Sequence, residues 1–165
     1  MKTIIVTGTP GTGKTILSKK LAKLMNFYYA DVNKIIFRYK LSEGYDKKRQ
    51  TKIIDVNKLN KKLISEIKDF KKQNKKYNGI IIDSHLSHYL PRKYADFCIV
   101  TKCDIKELNK RLKKKKFHDS KIKENIEAEI FDVCLNEAKE RRHKIITIDT
   151  TKHFNINGLI HKLGE

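Results

Sequence analysis

Of the 165 residues only two are proline and seven glycine, and there is no tryptophan. That scarcity excludes collagen-like, mucin-like and low-complexity chains. No apolar run approaches the roughly 18–20 residues that span a bilayer, so neither a transmembrane chain nor a membrane partner is expected. The three cysteines, Cys98, Cys103 and Cys134, are odd in number and form no C-x-x-C pair. They argue against a disulfide framework or a zinc site and fit small buried thiols in a reducing compartment. Met1-Lys2-Thr3-Ile4-Ile5-Val6 carries one cation and no cleavage pattern before Gly8. The expected location is cytoplasmic.

Acidic residues are scarce as well. Nineteen Asp and Glu stand against 38 Lys and Arg, for a formal net charge of +19. Such a field attracts polyanions and places RNA among the expected partners. A genome rich in A and T would give the same abundance of Lys, Ile and Asn, and the lysines are spread along the chain rather than gathered in a tail. Both readings stay open. Hydrophobic residues at 39% suffice for a core, and without repeats or Pro/Ser-rich linkers residues 1–165 are expected to form one domain.

Short apolar segments alternate with helical periodicity. Lys2–Thr7, Phe27–Ala30, Ile80–Asp83, Asp96–Thr101 and Lys144–Ile148 read as strands. Gly13–Met25 reads as a helix with Ile16, Leu17, Leu21 and Leu24 on its apolar face. Asp31, Asp55 and Asp104 are placed to begin helices running to about Lys40, Lys72 and Lys114. Ser42–Asp46 is expected to be a loop, Lys121–Arg142 one long helix and Asn155–Leu163 a closing helix. The fold expected is α/β, a parallel sheet covered on both faces in three layers.

Residues 8–15 read GTPGTGKT, a full match to G-x-x-x-x-G-K-[ST] between a strand and a helix. Glycines let the backbone curl so that the N–H groups of Gly11, Thr12, Gly13, Lys14, Thr15 and Ile16 surround one anion. Lys14 would reach the β- and γ-phosphates of a nucleoside triphosphate, and the Thr15 hydroxyl would ligate Mg2+. Ile80-Ile81-Ile82-Asp83 is the natural second element, an apolar strand delivering Asp83 beside the metal through water. Thr101-Lys102-Cys103-Asp104 fits the [NT]-K-x-D guanine-reading pattern of GTPases, but no Asp-x-x-Gly follows the Asp83 strand, where Ser84-His85-Leu86 stands instead.

With GTPGTGKT, Glu43-Gly44-Tyr45-Asp46, Asp83-Ser84-His85 and the Asn125-Ile126-Glu127-Ala128-Glu129-Ile130-Phe131 stretch, nearly the whole chain resembles the adenylate kinase isoenzyme six family and its archaeal relatives. The resemblance implies a P-loop nucleoside monophosphate kinase fold, with a monophosphate-binding segment at about residues 31–54 and a short lid at about 114–124. It implies phosphoryl transfer from Mg-ATP to AMP together with ATPase activity. It also implies a part in small ribosomal subunit maturation, through a small-subunit ribosomal protein of the S-eleven type and pre-ribosomal RNA. An ATPase switch serving mainly ribosome assembly is the alternative, and a GTPase a more distant one.

Several roles follow from the resemblance residue by residue. Lys115 stands where the family carries its lid arginine; the charge is kept and the bidentate fork lost. His85 matches the histidine associated with ATP hydrolysis, and Lys152 the position that approaches the adenine. In the monophosphate segment the family arginine aligns with Phe37, and Arg38 is one residue later, about 100° around a helix. Pro91-Arg92 resembles the Pro-Arg of ordinary adenylate kinases. Arg38 and Arg92 are therefore the candidates for the AMP phosphate.

Overall fold

The computed structural model describes residues 1–164. In chain order the elements are β1 (Lys2–Thr7), α1 (Lys14–Met25), β2 (Phe27–Asp31), α2 (Val32–Arg38), β3 (Ser42–Asp46), β4 (Thr51–Ile54) and α3 (Val56–Gln73). They continue with β5 (Gly79–Asp83), two short 3-10 turns at Ser87–Tyr89 and Arg92–Tyr94, β6 (Phe97–Lys102), α4 (Ile105–Lys114) and α5 (Asp119–Ile130). The last are α6 (Val133–Glu140), β7 (Ile145–Asp149) and α7 (Ile156–Gly164). Five strands form a parallel sheet in the order β2-β5-β1-β6-β7.

The apolar strands are buried on both faces because successive side chains alternate between two cores. Ile5, Ile80, Ile82, Cys98 and Val100 pack on one face with Leu59, Leu63 and Ile67 of α3 and Ala138 of α6. Ile4, Val6, Ile81, Phe97 and Ile99 pack on the other with Leu17 and Leu21 of α1 and Leu159 and Leu163 of α7. Each buried aliphatic side chain contributes about 1.5–3 kcal/mol. The result is the expected three-layer α/β sandwich. Among the described residues no helix is long and apolar enough to cross a membrane.

All three expected caps form. Asp31 accepts the Asn33 amide, Asp55 those of Asn57 and Lys58, and Asp104 those of Lys106 and Glu107. Each such cap is worth about 1 kcal/mol.

Three local expectations are corrected. Ser42–Asp46 is a strand rather than a loop, paired antiparallel with β4 in a hairpin that stands apart from the main sheet. The expected helix over 121–142 is two helices, broken where Asp132 adopts a left-handed φ of 52°. On α1, Leu17 and Leu21 are buried with Ser18 and Ala22, but Leu24 is 53% and Ile16 77% exposed. Ile16 instead lines a cleft.

The strand order puts β1 centrally, with β5 on one side and β6 on the other. Ligands of open parallel sheets bind outside the carboxyl ends of the strands where the order reverses. The loop after β1, Asp83 at the end of β5 and Thr101 near the end of β6 meet there: Val6 is paired with Asp83, and Thr7 with Val100.

Candidate active site

The loop between β1 and α1 curls as its glycines permit. Gly8, Gly11 and Gly13 have φ of 140°, 95° and 86°. A Cβ on Gly8 would lie 2.4 Å from Thr101 Oγ1, so glycine is required there for packing as well as conformation. Thr12 is fully buried beneath the curl. Its hydroxyl donates to the Thr9 carbonyl at 2.8 Å and meets Thr101 Oγ1 at 2.6 Å. Lys14 Nζ donates to the carbonyls of Gly8 at 2.8 Å and Thr9 at 2.9 Å. Burial lowers its pKa to about 8, with the Lys115 charge adding to the effect and Cys134, Asp83 and Glu129 opposing it. The ammonium therefore stays largely protonated near neutrality.

Asp83 is 5% exposed at the end of β5. Its Oδ2 accepts the Thr15 hydroxyl at 2.7 Å and the Tyr29 hydroxyl at 2.9 Å. Burial, followed by the Asp83 contact, raises the Tyr29 pKa, so the phenol remains a donor. The first hydroxyl of α1 and the carboxylate of β5 thus sit together, as a phosphate-bound divalent cation requires. No cluster of three or more His, Cys, Asp or Glu able to hold a metal occurs among the described residues. A cation here would be held by Thr15, by Asp83 through water and by the oxygens of a phosphate ligand, a donor set that suits magnesium.

A cleft of about 710 Å³ opens over this loop. Gly11, Gly13, Lys14, Thr15 and Ile16 line its floor, with Asp83, Ser84 and His85 on one side and Lys114 and Lys115 on another. His85 faces the open cleft, yet the protein packed about it, then the charges of Lys14, His88 and Lys121, lower its pKa to about 4. The imidazole is neutral at physiological pH.

Four expected residues lie outside the lining, one of them Thr12, which is buried beneath the loop. Arg38 borders a separate cavity of about 530 Å³ against β2 and α3, near Tyr28, Phe70 and Glu66. Arg92 is exposed on the second 3-10 turn, and Lys152 is exposed beyond β7. Neither lines the cleft.

Other residues occupy it. The Arg111 guanidinium is held beside the loop, donating to Glu107 Oε1 at 2.9 Å and to the Thr150 carbonyl at 2.9 Å. Phe154 and Asn33 complete the wall. Arg111 is the one arginine within the lysine-rich α4, a signal present in the sequence but masked by the charge around it. Of the Thr101-Lys102-Cys103-Asp104 stretch, Thr101 braces Thr12, Lys102 pairs with Glu129 and Asp132, and Asp104 caps α4. None of the four lines the cleft.

Residues 4–132 match the family model described as an AAA domain. A Methanocaldococcus jannaschii protein named "Putative adenylate kinase" is 39% identical over 162 residues, 98% of this chain and 84% of that one. The adenylate kinase isoenzyme 6 homologs of Caenorhabditis elegans and Dictyostelium discoideum are 33% and 32% identical, covering 83% and 88% of this chain and 72% and 79% of theirs. Among solved structures, shikimate kinase from Acinetobacter baumannii superposes with a TM-score of 0.61 at 12% identity, covering 99% of this chain and 90% of that one. That last likeness is one of fold.

Proposed function

The chain belongs to the adenylate kinase isoenzyme 6 family, and we propose that it transfers the γ-phosphoryl group of Mg-ATP to AMP, giving two ADP. One observation supports the reading: a single cleft is bordered by the phosphate loop, by Asn33 of α2, and by Lys114 and Lys115 at the end of α4. We take Asn33 to mark the acceptor side and the two lysines the lid.

In this reading Lys14 leaves the carbonyls of Gly8 and Thr9 for the β- and γ-phosphates, and the amides of residues 11–16 surround the chain of phosphates. Magnesium would neutralise charge on the phosphate oxygens. Thr15 and Asp83 would hold it, with Tyr29 fixing one carboxylate oxygen. Arg111 offers its face to the base between Ile16, Thr150 and Phe154. Lys115 supplies a further cation as residues 114–124 close and exclude water. Asn33, rather than Arg38 or Arg92, is the acceptor-side residue already at the cleft; for either arginine to serve, segment 31–54 or the turn at 92–94 must move.

Hydrolysis is the second reading, favoured by His85. A neutral imidazole at the cleft wall, next but one to Asp83, can orient a water when AMP is absent. The net charge of +19 suits a polyanionic partner such as pre-ribosomal RNA beside a ribosomal protein.

The decisive measurement is a steady-state panel of Mg-ATP with AMP, CMP, UMP, GMP or water as acceptor. AMP-dependent formation of ADP well above the water rate is expected. ADP formed at the same rate with and without AMP would leave only the hydrolytic reading.

A further inference from the structure

Glu129 lies near the last turn of α5, yet its carboxylate is buried beneath the phosphate loop at 5% exposure. The two oxygens divide their work. Oε2 accepts the Thr9 hydroxyl at 2.6 Å. Oε1 accepts the Cys103 amide at 3.0 Å and the Lys102 ammonium at 2.9 Å. Burial acts against the charge on Lys102, but Asp132 and Glu129 outweigh it and its pKa is raised. Lys102 is thus a cation at neutral pH, held against a carboxylate that the fold covers almost completely.

Thr9 is 1% exposed, and its carbonyl collects three donors: the Lys14 ammonium at 2.9 Å, the Thr12 hydroxyl at 2.8 Å and the Thr12 amide at 3.2 Å. A continuous path of short polar contacts therefore runs from Glu129 through Thr9 to Lys14. Anchoring α5 needs no charge, since an apolar side chain of similar volume would serve as well or better. A carboxylate adds what an apolar anchor cannot, a fixed acceptor for one loop hydroxyl and a negative charge near a half-buried ammonium.

We propose that Glu129 is a positioning residue: acting through Thr9, it holds the curl of the phosphate loop and keeps Lys14 aimed for a polyphosphate. The proposal rests on the reading of the cleft as a nucleotide site. It also gives α5 a second duty. The start of that helix meets the β3–β4 hairpin, where the His118 amide donates to Gln50 Oε1 at 3.0 Å, Lys121 donates to the Gln50 carbonyl and Arg49 pairs with Glu124. The helix thus touches the hairpin at its first turns and the phosphate loop at its last.

The test is calorimetric titration of Mg-ATP into the full chain and its variants at neutral pH. Glu129→Gln leaves one acceptor oxygen where the Thr9 hydroxyl, the Cys103 amide and the Lys102 ammonium now share two, so its affinity is expected to fall about tenfold. Thr9→Ala is expected to weaken binding similarly, Thr9→Ser to restore it, and the double variant Thr9→Ala/Glu129→Gln to be no worse than either single one. A folded Glu129→Gln that keeps the affinity overturns the proposal, as do losses that multiply in the double variant. Should Glu129→Gln fail to fold, Thr9→Ala decides: unchanged affinity overturns the proposal, and a loss regained in Thr9→Ser supports it. Absence of Mg-ATP binding by the unaltered chain would instead sink the nucleotide reading on which the proposal stands.

Discussion

Thr15 and Asp83 lie 68 residues apart in the chain, yet the threonine hydroxyl donates directly to Asp83 Oδ2 over 2.7 Å. The register of β1 against β5 makes the contact, pairing Val6 with Asp83 and so bringing the carboxylate beside the start of α1. Asp83→Ala would remove the shared acceptor of two hydroxyls, those of Thr15 and Tyr29. Turnover is expected to fall at least about a hundredfold and the magnesium requirement to rise. Rates measured across a magnesium titration check this; an unchanged half-saturating concentration would count against a metal role for Asp83.

Lys14 links binding to pH. In the free protein it loses its proton around pH 8, and a bound polyphosphate favours the charged form. Affinity for ATP should therefore weaken as pH rises above about 8, and binding there should take up a proton. Calorimetry in two buffers of different ionisation heat measures that uptake. Lys14→Ala is expected to abolish turnover and remove the alkaline limb.

Lys115→Ala is expected to lower the rate of transfer to AMP about a hundredfold with a smaller change in ATP affinity, since the charge acts on the reacting phosphates. Lys115→Arg, which supplies the bidentate fork, should match or exceed the original rate. Equal rates for the Ala variant and the original chain would make this lysine a solvated helix end.

Gly8→Ala forces a methyl to within 2.4 Å of Thr101 Oγ1 and 2.6 Å of its carbonyl, at a φ of 140°. A loss of about 3 kcal/mol or more is expected, a fall of roughly 6–12 °C in melting temperature. Gly164→Ala, with nothing within 4 Å of the added methyl, is the control and should melt near the original temperature.

Acid should destabilise the fold through histidines rather than carboxylates alone. Burial lowers the pKa of His88 and of His143. Below the unfolded value of about 6.5 the unfolded chain binds more protons, so stability rises with pH toward that value and falls as pH drops below it. Urea melts from neutral pH downward measure the slope; a flat profile between about pH 6.5 and 5 would refute it.

The sheet and the phosphate loop were legible because each rests on a local pattern. Ile80-Ile81-Ile82 can only be buried on both faces, and GTPGTGKT has one conformation that uses all its glycines. The β3–β4 hairpin was not legible. Its strands are half-exposed or exposed throughout, so no alternation marks them, and their pairing depends on a partner several residues away. The break between α5 and α6 carries no glycine or proline; it is imposed by Asp132, whose carboxylate pairs with Lys102 of β6. Arg111 and Glu129 show the limit for sites. One looked like any cation in a basic helix, the other like any acid in a helical run, and only tertiary packing brings both to the loop.

Lys14 has a further consequence in its resting place. Its ammonium donates to two main-chain oxygens that carry no net charge, so the cation is aimed without being cancelled. A polyphosphate tail brings several anionic oxygens with which to take the place of both carbonyls.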